Sequence, residues 1–173
     1  MLRIEHLRKA FGGVVATSDV SIHFPKESLS AVIGPNGAGK TTFFNLISGA
    51  IRPDSGNIYL DGENIVGLSG NDIVRKGIGR AFQVAKLFKS LTVEESLRGA
   101  LLSPLGRSAQ MSGRFPLPET RDRAYEVMDQ LGLTSKANVI SGNLSHGDQK
   151  LLDMALALVL KPKVLLLDEP VAG

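Results

Sequence analysis

Cysteine is absent from this 173-residue sequence, which excludes a disulfide framework and thiolate chemistry. A long uncharged apolar run is also lacking. The best candidate, Leu151–Leu160, contains Asp153 and is too short to cross a bilayer. The N-terminal stretch Met1–Phe11 has no apolar segment of the kind found in a signal peptide. With 43% hydrophobic and 21% charged residues, the composition predicts a soluble, globular chain.

A strong excess of one charge is missing as well. The formal net charge of +3 is compatible with anionic ligands, but it gives little support for nucleic-acid binding. The sequence contains no internal repeat and no low-complexity tract. A chain of this length can form one domain with a real core, or a large part of one.

Apolar patterning predicts strands first, then a block of helices, then a final strand. The run Leu29–Ile33 is almost wholly apolar, which predicts a strand buried on both faces, as in parallel sheets. Thr92 and Glu95 fit a capping box that opens a helix reaching Leu102. Further strands are predicted at Leu2–Leu7, Val14–Phe24, Asn57–Leu60, Gly79–Gln83 and Val164–Leu167, and further helices at Lys40–Ser48, Asn71–Lys76, Glu119–Leu131 and Leu144–Leu160.

Two other features complete this outline. Asp61-Gly62 is typical of a tight turn after a strand. The stretch Ser103–Pro118 is rich in proline and lacks periodicity, which predicts a loop or an insertion. Together the pattern indicates a parallel-sheet core with a helical insertion between about Val84 and Asn143.

The segment from Gly34 to Thr41 matches the pattern G-x-x-x-x-G-K-[ST]. Its glycines allow successive backbone N–H groups to surround phosphate oxygens, and the N-terminus of the following helix adds donors and a favourable dipole. Lys40 would place a positive charge on the β and γ phosphates, and the Thr41 hydroxyl would bind Mg²⁺. The alternative is a glycine-rich turn with a chance lysine. The strand predicted before the loop and the helix after it favour the phosphate site.

An acidic pair follows the last predicted strand, Val164–Leu167. In open α/β sheets, ligands bind at the carboxyl ends of the strands, where Asp168 and Glu169 would emerge. Asp168 would hold Mg²⁺ through water, and Glu169 would orient or deprotonate an attacking water. An acidic turn after a core strand is the alternative, which the phosphate-loop motif makes less favourable.

The segment Leu144–Lys150 reads LSHGDQK, and here the chain resembles the ABC-type ATPases, whose signature reads LSGGQ. His146 stands where that signature has glycine, and Asp148 stands where it has glutamine. Ser145 and Asp148 also fit an ordinary capping box for the helix that follows, and the two interpretations are compatible. His146 would be a residue at the start of this helix, packed at a dimer interface, without a catalytic role.

The resemblance implies an α/β fold of the P-loop NTPase type, with a parallel-sheet core, an N-terminal antiparallel β subdomain and an inserted α-helical subdomain. It implies a single, incomplete ATPase domain over residues 1–173. Within it, residues 1–83 and 144–173 would form the ATP-binding core, and residues 84–143 the helical signature subdomain.

The resemblance also assigns roles to individual residues. Gln83 stands at the Q-loop position, where its amide oxygen would contact Mg²⁺ and a water. Phe11 stands where the family has an aromatic residue that stacks on adenine. The implied catalytic residues are Glu169, Gln83 and Lys40, and the implied metal ligands are Thr41, Gln83 and Asp168. The implied ATP-binding residues are Phe11, Gly34, Pro35, Asn36, Gly37, Ala38, Gly39, Lys40, Thr41 and Thr42, with Ser145 and Gly147 acting on the ATP of a second subunit.

The implied function is that of the ATP-binding subunit of an ABC importer, with ATP and Mg²⁺ as cofactors. Its partners would be a second ATPase subunit, identical or different, and membrane permease subunits. It would lie at the cytoplasmic face of the membrane as a peripheral subunit, soluble when isolated, without contacting the solute or nucleic acid. The segments Ile78–Gln83, Leu87–Glu95 and Leu144–Lys150 are most similar to the branched-chain amino-acid importer branch.

Alternatives remain open on sequence grounds. Lipopolysaccharide and urea transport ATPases share much of the same pattern. An ABC ATPase acting on nucleic acid, a small-molecule kinase with a phosphate loop, and a nucleotide-binding fragment without turnover are other possibilities. The family continues beyond the position of Gly173 with more strands and a switch histidine, and His6, His23 and His146 are not placed to replace it. The resemblance therefore implies a C-terminally truncated chain that binds nucleotide weakly and hydrolyses it very slowly on its own.

Overall fold

A computed structural model describes residues 1–81, 89–102 and 120–167. The chain divides into two compact units, Met1–Lys76 and Gly77–Gly173. The first contains β1 (Leu2–Phe11), β2 (Val14–Phe24), α1 (Lys40–Ile47), β3 (Ser55–Leu60), β4 (Glu63–Asn64) and α2 (Gly70–Lys76). The second contains β5 (Ile78–Ala81), α3 (Val93–Ala100), α4 (Arg121–Gln130), α5 (His146–Leu158) and β6 (Val164–Leu167).

The first unit is built on an antiparallel sheet with the strand order β2-β1-β3-β4. Its central strand β1 pairs on both sides, so that Leu2 lies opposite Phe24 of β2 and Leu60 of β3. The β3–β4 turn is the predicted Asp61-Gly62, and both residues have positive φ, at 51° and 88°. This is the backbone that a two-residue hairpin requires, and it confirms the predicted turn.

A bulge in β1 decides which side chains enter the core of this unit. Leu2 and Ile4 are buried in strict alternation, but the register shifts between Ile4 and Leu7. His6 adopts a positive φ of 50° in this interval and is exposed, while Leu7 is buried completely. The extra residue thus moves the buried face by one position, which keeps three large side chains of one strand in the core.

The second unit joins two parallel strands through helices. β5 and β6 pair in register from Ile78 opposite Val164 to Ala81 opposite Leu167. Between them, α3, α4 and α5 bury a cluster of apolar side chains: Val93, Leu97, Ala124, Val127, Met128, Leu133, Ala137, Leu144, Leu152, Ala155 and Val159. The predicted order of helices between two strands is confirmed.

A polar network links α3 to α4 beside this cluster. The Arg98 side chain is buried and donates to Glu94 at 2.6 Å and to the Thr120 hydroxyl at 3.0 Å. The Tyr125 hydroxyl donates to the other carboxylate oxygen of Glu94 at 3.0 Å. Every charged group in this network has a hydrogen-bonded partner, which is the condition for burying charge without a large desolvation cost.

The capping box at the start of α3 is also present. The Thr92 hydroxyl accepts a hydrogen bond from the Glu95 N–H at 3.2 Å, and the Glu95 carboxylate accepts one from the Thr92 N–H at 2.9 Å. Two backbone donors that the helix itself cannot satisfy are therefore paired. Helix α3 ends at Ala100, two residues before the predicted Leu102.

One predicted element is wrong. Leu29–Ile33 forms no strand, and Leu29 and Ile33 are 102% and 91% exposed. A strand needs neighbours for its N–H and C=O groups, and the two described sheets contain no strand that pairs with this run. Apolar composition alone cannot supply those neighbours. The predicted loop Ser103–Pro118 lies outside the described residues.

Helix boundaries differ from the predictions by small amounts. α4 covers Arg121–Gln130 of the predicted Glu119–Leu131. α5 begins at His146 because Ser145 is its N-cap. Within the described ranges, no helix combines the length and the apolar character needed to cross a membrane.

We predict that Thr92→Ala lowers the free energy of unfolding by about 1 kcal/mol, since the Glu95 N–H loses its acceptor. Urea denaturation at neutral pH measures this change. Unchanged stability of the variant would show that the capping box does not contribute in solution.

Glu95→Gln is the matched control, because its amide oxygen can still accept from the Thr92 N–H. The Thr92 N–H, and after it the Thr92 hydroxyl, hold the pKa of Glu95 below its ordinary value of 4.5. The advantage of the wild type over Glu95→Gln should therefore be present above this value and disappear as the pH falls through the lower folded-state pKa.

Candidate functional site

The predicted phosphate loop is a compact turn that opens into α1. The Ala38 N–H donates to the Pro35 carbonyl at 3.2 Å, which closes a turn containing Gly37. Gly37 and Gly39 have φ values of 82° and 84°, a conformation that residues with a side chain rarely adopt. The glycines predicted for this loop are therefore required by its backbone at these two positions.

Gly39 is required for a second reason. A Cβ atom at this position would lie 2.1 Å from the carbonyl oxygen of Ala16 in β2. The absence of a side chain thus allows the loop to lie directly against the backbone of β2. Gly37 has the same sign of φ, yet a Cβ there would meet no atom within 4 Å.

The N-terminus of α1 remains available to an anion. Gly39 precedes the helix and offers no side-chain cap, and the first turn contains no acidic residue. The first N–H groups of a helix have no partner within it, and the aligned peptide dipoles favour negative charge there. Phosphate oxygens are the kind of acceptor that such an end can bind.

Lys40 lies across the loop. Its ammonium group donates to the Gly34 carbonyl at 2.7 Å and to the Pro35 carbonyl at 2.9 Å. An ammonium carries three protons, so two can hold the loop while a third points elsewhere. The Lys40 ammonium and the first N–H groups of α1 together form a donor set that fits a polyphosphate. The first turn of α1 contains no carboxylate that would repel such a ligand.

The predicted metal ligands are only partly described. Thr41 lies in the first turn of α1 and is exposed, whereas Gln83 and Asp168 lie outside the described residues. Glu169 lies outside them too. In the part of the chain that the structure describes, no group of three or more histidine and carboxylate side chains could hold a metal ion. A threonine hydroxyl is a hard oxygen ligand that fits Mg²⁺, and Thr41 is compatible with that role.

Phe11 lies at the end of β1, and the adjacent residues fix its position. Asp54 accepts hydrogen bonds from the Lys9 ammonium and from the Ala10 N–H, both at 2.7 Å. The hydrogen bond from Lys9, and to a smaller extent the one from the Ala10 N–H, lowers the pKa of Asp54. The Lys9 ammonium also lies 5.4 Å from the centroid of the Phe11 ring. Asp54 therefore anchors the strand end from which Phe11 projects.

The end of the β1–β2 hairpin exposes apolar surface. Phe11 pairs with Val14, and Phe11, Val14 and Val15 are 50%, 70% and 49% exposed. Ala16, the next residue of β2, is the one whose carbonyl approaches Gly39. Two exposed valines thus begin the strand that contacts the phosphate loop, and the exposed Phe11 ring lies opposite the first of them. This arrangement fits a ligand with a flat apolar part and an anionic part.

The predicted signature segment caps α5. The Ser145 hydroxyl accepts from the Asp148 N–H at 3.2 Å and donates to the Asp148 carboxylate at 2.6 Å. The other carboxylate oxygen of Asp148 forms an ion pair with the Lys136 ammonium. His146 is the first residue of the helix, as predicted, and its side chain is exposed. At Gly147 a Cβ would meet no atom within 4 Å, so the surface above it is open.

Asp148 is held in its charged form. The Lys136 ammonium, followed by the Ser145 hydroxyl, lowers the pKa of Asp148 below its ordinary value. The carboxylate is therefore ionised at neutral pH in the first turn of α5.

Comparison with known proteins decides the family. Residues 17–172 match the family model described as ABC transporter. The chain belongs to the ABC transporter family of ATP-binding domains. ABC ATPases bind nucleotide and couple ATP hydrolysis to transport. This confirms the resemblance found in the signature and in the phosphate loop.

Two relatives of this ABC domain are similar along its whole length. The high-affinity branched-chain amino acid transport ATP-binding protein BraF of Pseudomonas aeruginosa is 39% identical, and the match covers 100% of this chain and 70% of that protein. The corresponding protein LivG of Escherichia coli K12 is 38% identical with the same coverage.

Solved structures agree with the fold. A nucleotide-free ATP-binding cassette from an ABC transporter superposes with a TM-score of 0.87 at 32% identity, covering 100% of this chain and 70% of that one. A cassette in its ADP conformation gives 0.87 at 33% identity with the same coverage. A dimeric cassette in a post-hydrolysis state, bound to ADP and Pi, gives 0.80 at 26% identity, covering 99% of this chain and 75% of that one. The predicted P-loop NTPase fold is thereby confirmed.

Sequence reasoning missed two residues of this ABC domain. Asp54 lies far along the chain from Phe11, and Lys136 precedes the signature in a separate 3-10 turn, Thr134–Lys136. Neither belongs to a motif of fixed spacing. An unexpected charge inside a motif, such as Asp148 in place of glutamine, is the signal that indicates a compensating lysine nearby.

Gly39→Ala and Gly37→Ala provide a matched pair for the loop geometry. Both introduce a side chain at positive φ, which costs about 1–2 kcal/mol. Only the alanine at position 39 also collides with the Ala16 carbonyl. We expect Gly39→Ala to lower the free energy of unfolding more than Gly37→Ala, measured by urea denaturation. Equal losses would contradict the contact between the loop and β2.

Proposed function

We propose that this chain is the ATP-binding subunit of an ABC importer for branched-chain amino acids. The observation that carries the substrate class is the similarity of all of its residues to part of the branched-chain amino acid transport proteins BraF and LivG. The phosphate-loop geometry supports the nucleotide site, because the start of α1 offers backbone donors without a side-chain cap, a lysine, and no acidic residue in its first turn.

In this proposal the phosphates of ATP bind along Gly34–Thr42, with Lys40 contacting the β and γ phosphates. Phe11 stacks on adenine, and its position at an exposed hairpin end beside the loop supports this role. Base stacking of this kind needs an accessible aromatic face, which a ring that is 50% exposed can provide.

The proposed metal and catalytic residues follow two strands whose positions the structure gives. β5 and β6 run parallel and end side by side, with Ala81 opposite Leu167. In the sequence, Gln83 follows the first of these strand ends and Asp168 and Glu169 follow the second. Thr41, Gln83 and Asp168 would hold Mg²⁺, which would shield phosphate charge, and Glu169 would orient or deprotonate the attacking water.

The signature is proposed to act on the nucleotide of a second ATPase subunit, identical or different. The exposed start of α5, with Ser145 and the open surface over Gly147, supports a contact with another molecule. A related cassette of known structure is dimeric and holds ADP and Pi. This subunit would not contact the transported solute.

Residues 1–83 and 144–173 would form the ATP-binding core and residues 84–143 the helical signature subdomain. The helical subdomain and the Gln83 loop would face the membrane permease, at the cytoplasmic face of the membrane. Neither the net charge of +3 nor the family match supports nucleic acid as a partner.

Lys40→Ala should weaken binding of a fluorescent ATP analogue at least tenfold, since the positive charge that contacts the β and γ phosphates is lost. Equilibrium titration of fluorescence anisotropy measures this affinity. Lys26→Ala removes an equal charge from an exposed turn and should bind as the wild type does. Equal affinity of Lys40→Ala and Lys26→Ala would remove the phosphate-loop assignment.

Phe11→Ala should weaken ATP binding about tenfold but leave the affinity for inorganic triphosphate unchanged, because a stacked base contributes roughly 1–3 kcal/mol. Isothermal titration calorimetry with both ligands separates the two effects. A parallel loss of triphosphate affinity would show that Phe11 supports the fold of the loop rather than the base.

A further inference from the structure

The single proton of the Ser145 hydroxyl is already used in the structure. A serine hydroxyl has one proton, and in this chain the proton is donated to Asp148 at 2.6 Å. The same oxygen accepts the Asp148 N–H at 3.2 Å. For Ser145 to donate to a phosphate oxygen of another subunit, as the proposed function requires, its hydrogen bond to the Asp148 carboxylate must first break.

Asp148 creates a second difficulty at this site. Its carboxylate lies on the first turn of α5, the same turn that would approach the γ-phosphate of the partner subunit. Two anionic groups brought together out of bulk water repel each other strongly. The Asp148 side chain is only 17% exposed, so water screens its charge incompletely.

Lys136 bears on both the hydrogen bond of Ser145 and the negative charge of Asp148. Its ammonium pairs with Oδ1 of Asp148, the carboxylate oxygen that Ser145 does not use. The carboxylate therefore keeps a charged partner when the hydroxyl turns away from Oδ2. The Lys136 backbone is fixed as well, since its N–H donates to the carbonyl of the fully buried Leu133 at 2.9 Å.

We propose that Lys136 is a positioning residue for ATP-dependent dimerisation: it neutralises Asp148 and lets the Ser145 hydroxyl exchange that carboxylate for the γ-phosphate held by a second copy of this chain. This inference rests on the proposed function. It adds a residue outside the signature that sets the strength of the contact between the signature and the phosphate.

The test compares Lys136→Met with the wild type in the presence of Mg²⁺ and the non-hydrolysable ATP analogue AMP-PNP. Sedimentation equilibrium of the full chain gives the dissociation constant of the dimer. We expect Lys136→Met to weaken dimerisation about tenfold, whereas nucleotide binding by the monomer stays unchanged. Lys136→Arg, which keeps the charge, should dimerise nearly as the wild type does, and Lys26→Met serves as the matched loss of one positive charge.

The double variant Lys136→Met/Asp148→Asn decides whether Lys136 acts through Asp148. Asparagine keeps an oxygen acceptor but has no charge, so the effect of Lys136→Met should shrink to within about twofold in this background. An undiminished tenfold effect overturns the proposal, since it would reveal a purely structural role. The proposal is also overturned if the single variant Lys136→Met dimerises as tightly as the wild type.

Two further results separate this inference from the function on which it rests. A wild-type chain that binds AMP-PNP but does not dimerise overturns the inference and leaves the nucleotide site intact. A wild-type chain that binds no nucleotide overturns the proposed function itself. If Lys136→Met does not fold, Asp148→Asn alone decides: it should dimerise at least as tightly as the wild type, and weaker dimerisation overturns the proposal.

Discussion

The approach of the Ala16 carbonyl to Gly39 is the constraint on which the rest of the nucleotide site depends. It joins the β1–β2 hairpin to the phosphate loop through two backbones, without an intervening side chain. Because peptide groups are rigid, such a contact fixes distance more firmly than a pair of flexible side chains can. The exposed ring of Phe11 and the N-terminus of α1 are therefore held in one unit, as a ligand with two chemically different ends requires.

The features that the sequence predicted well depend on local geometry. A phosphate loop, a capping box at Thr92 and a two-residue turn at Asp61-Gly62 each need particular residues at fixed short spacing, and all three have the expected backbone. The strand predicted at Leu29–Ile33 was wrong because a strand needs pairing partners that are distant in the sequence, and composition does not encode them. Asp54 was missed for the same reason, since it pairs with Lys9, which is distant in the sequence, and Lys136 was missed because it reaches Asp148 from a separate turn.

Two helix ends in this molecule use opposite solutions to the same problem. α1 starts after a glycine and keeps its first donors without a side-chain cap, whereas α5 starts after a serine whose hydroxyl and neighbouring carboxylate close the end. An uncapped end can take an anion without breaking an internal bond. A capped end can do so only by exchanging one, so partners for it must supply an acceptor at least as strong as a carboxylate.

The exposed run Leu29–Ile33 has a consequence for the behaviour of the protein in concentrated solution. It reads Leu-Ser-Ala-Val-Ile, in which Val32 and Ile33 have high β propensity, and it carries no charge. An unpaired segment of this kind can add to any free strand edge, including that of another molecule. Pro25 and the charged residues Lys26 and Glu27 precede it, and Pro35 follows it. These flanking residues act as gatekeepers that limit how far an intermolecular sheet could grow along the chain.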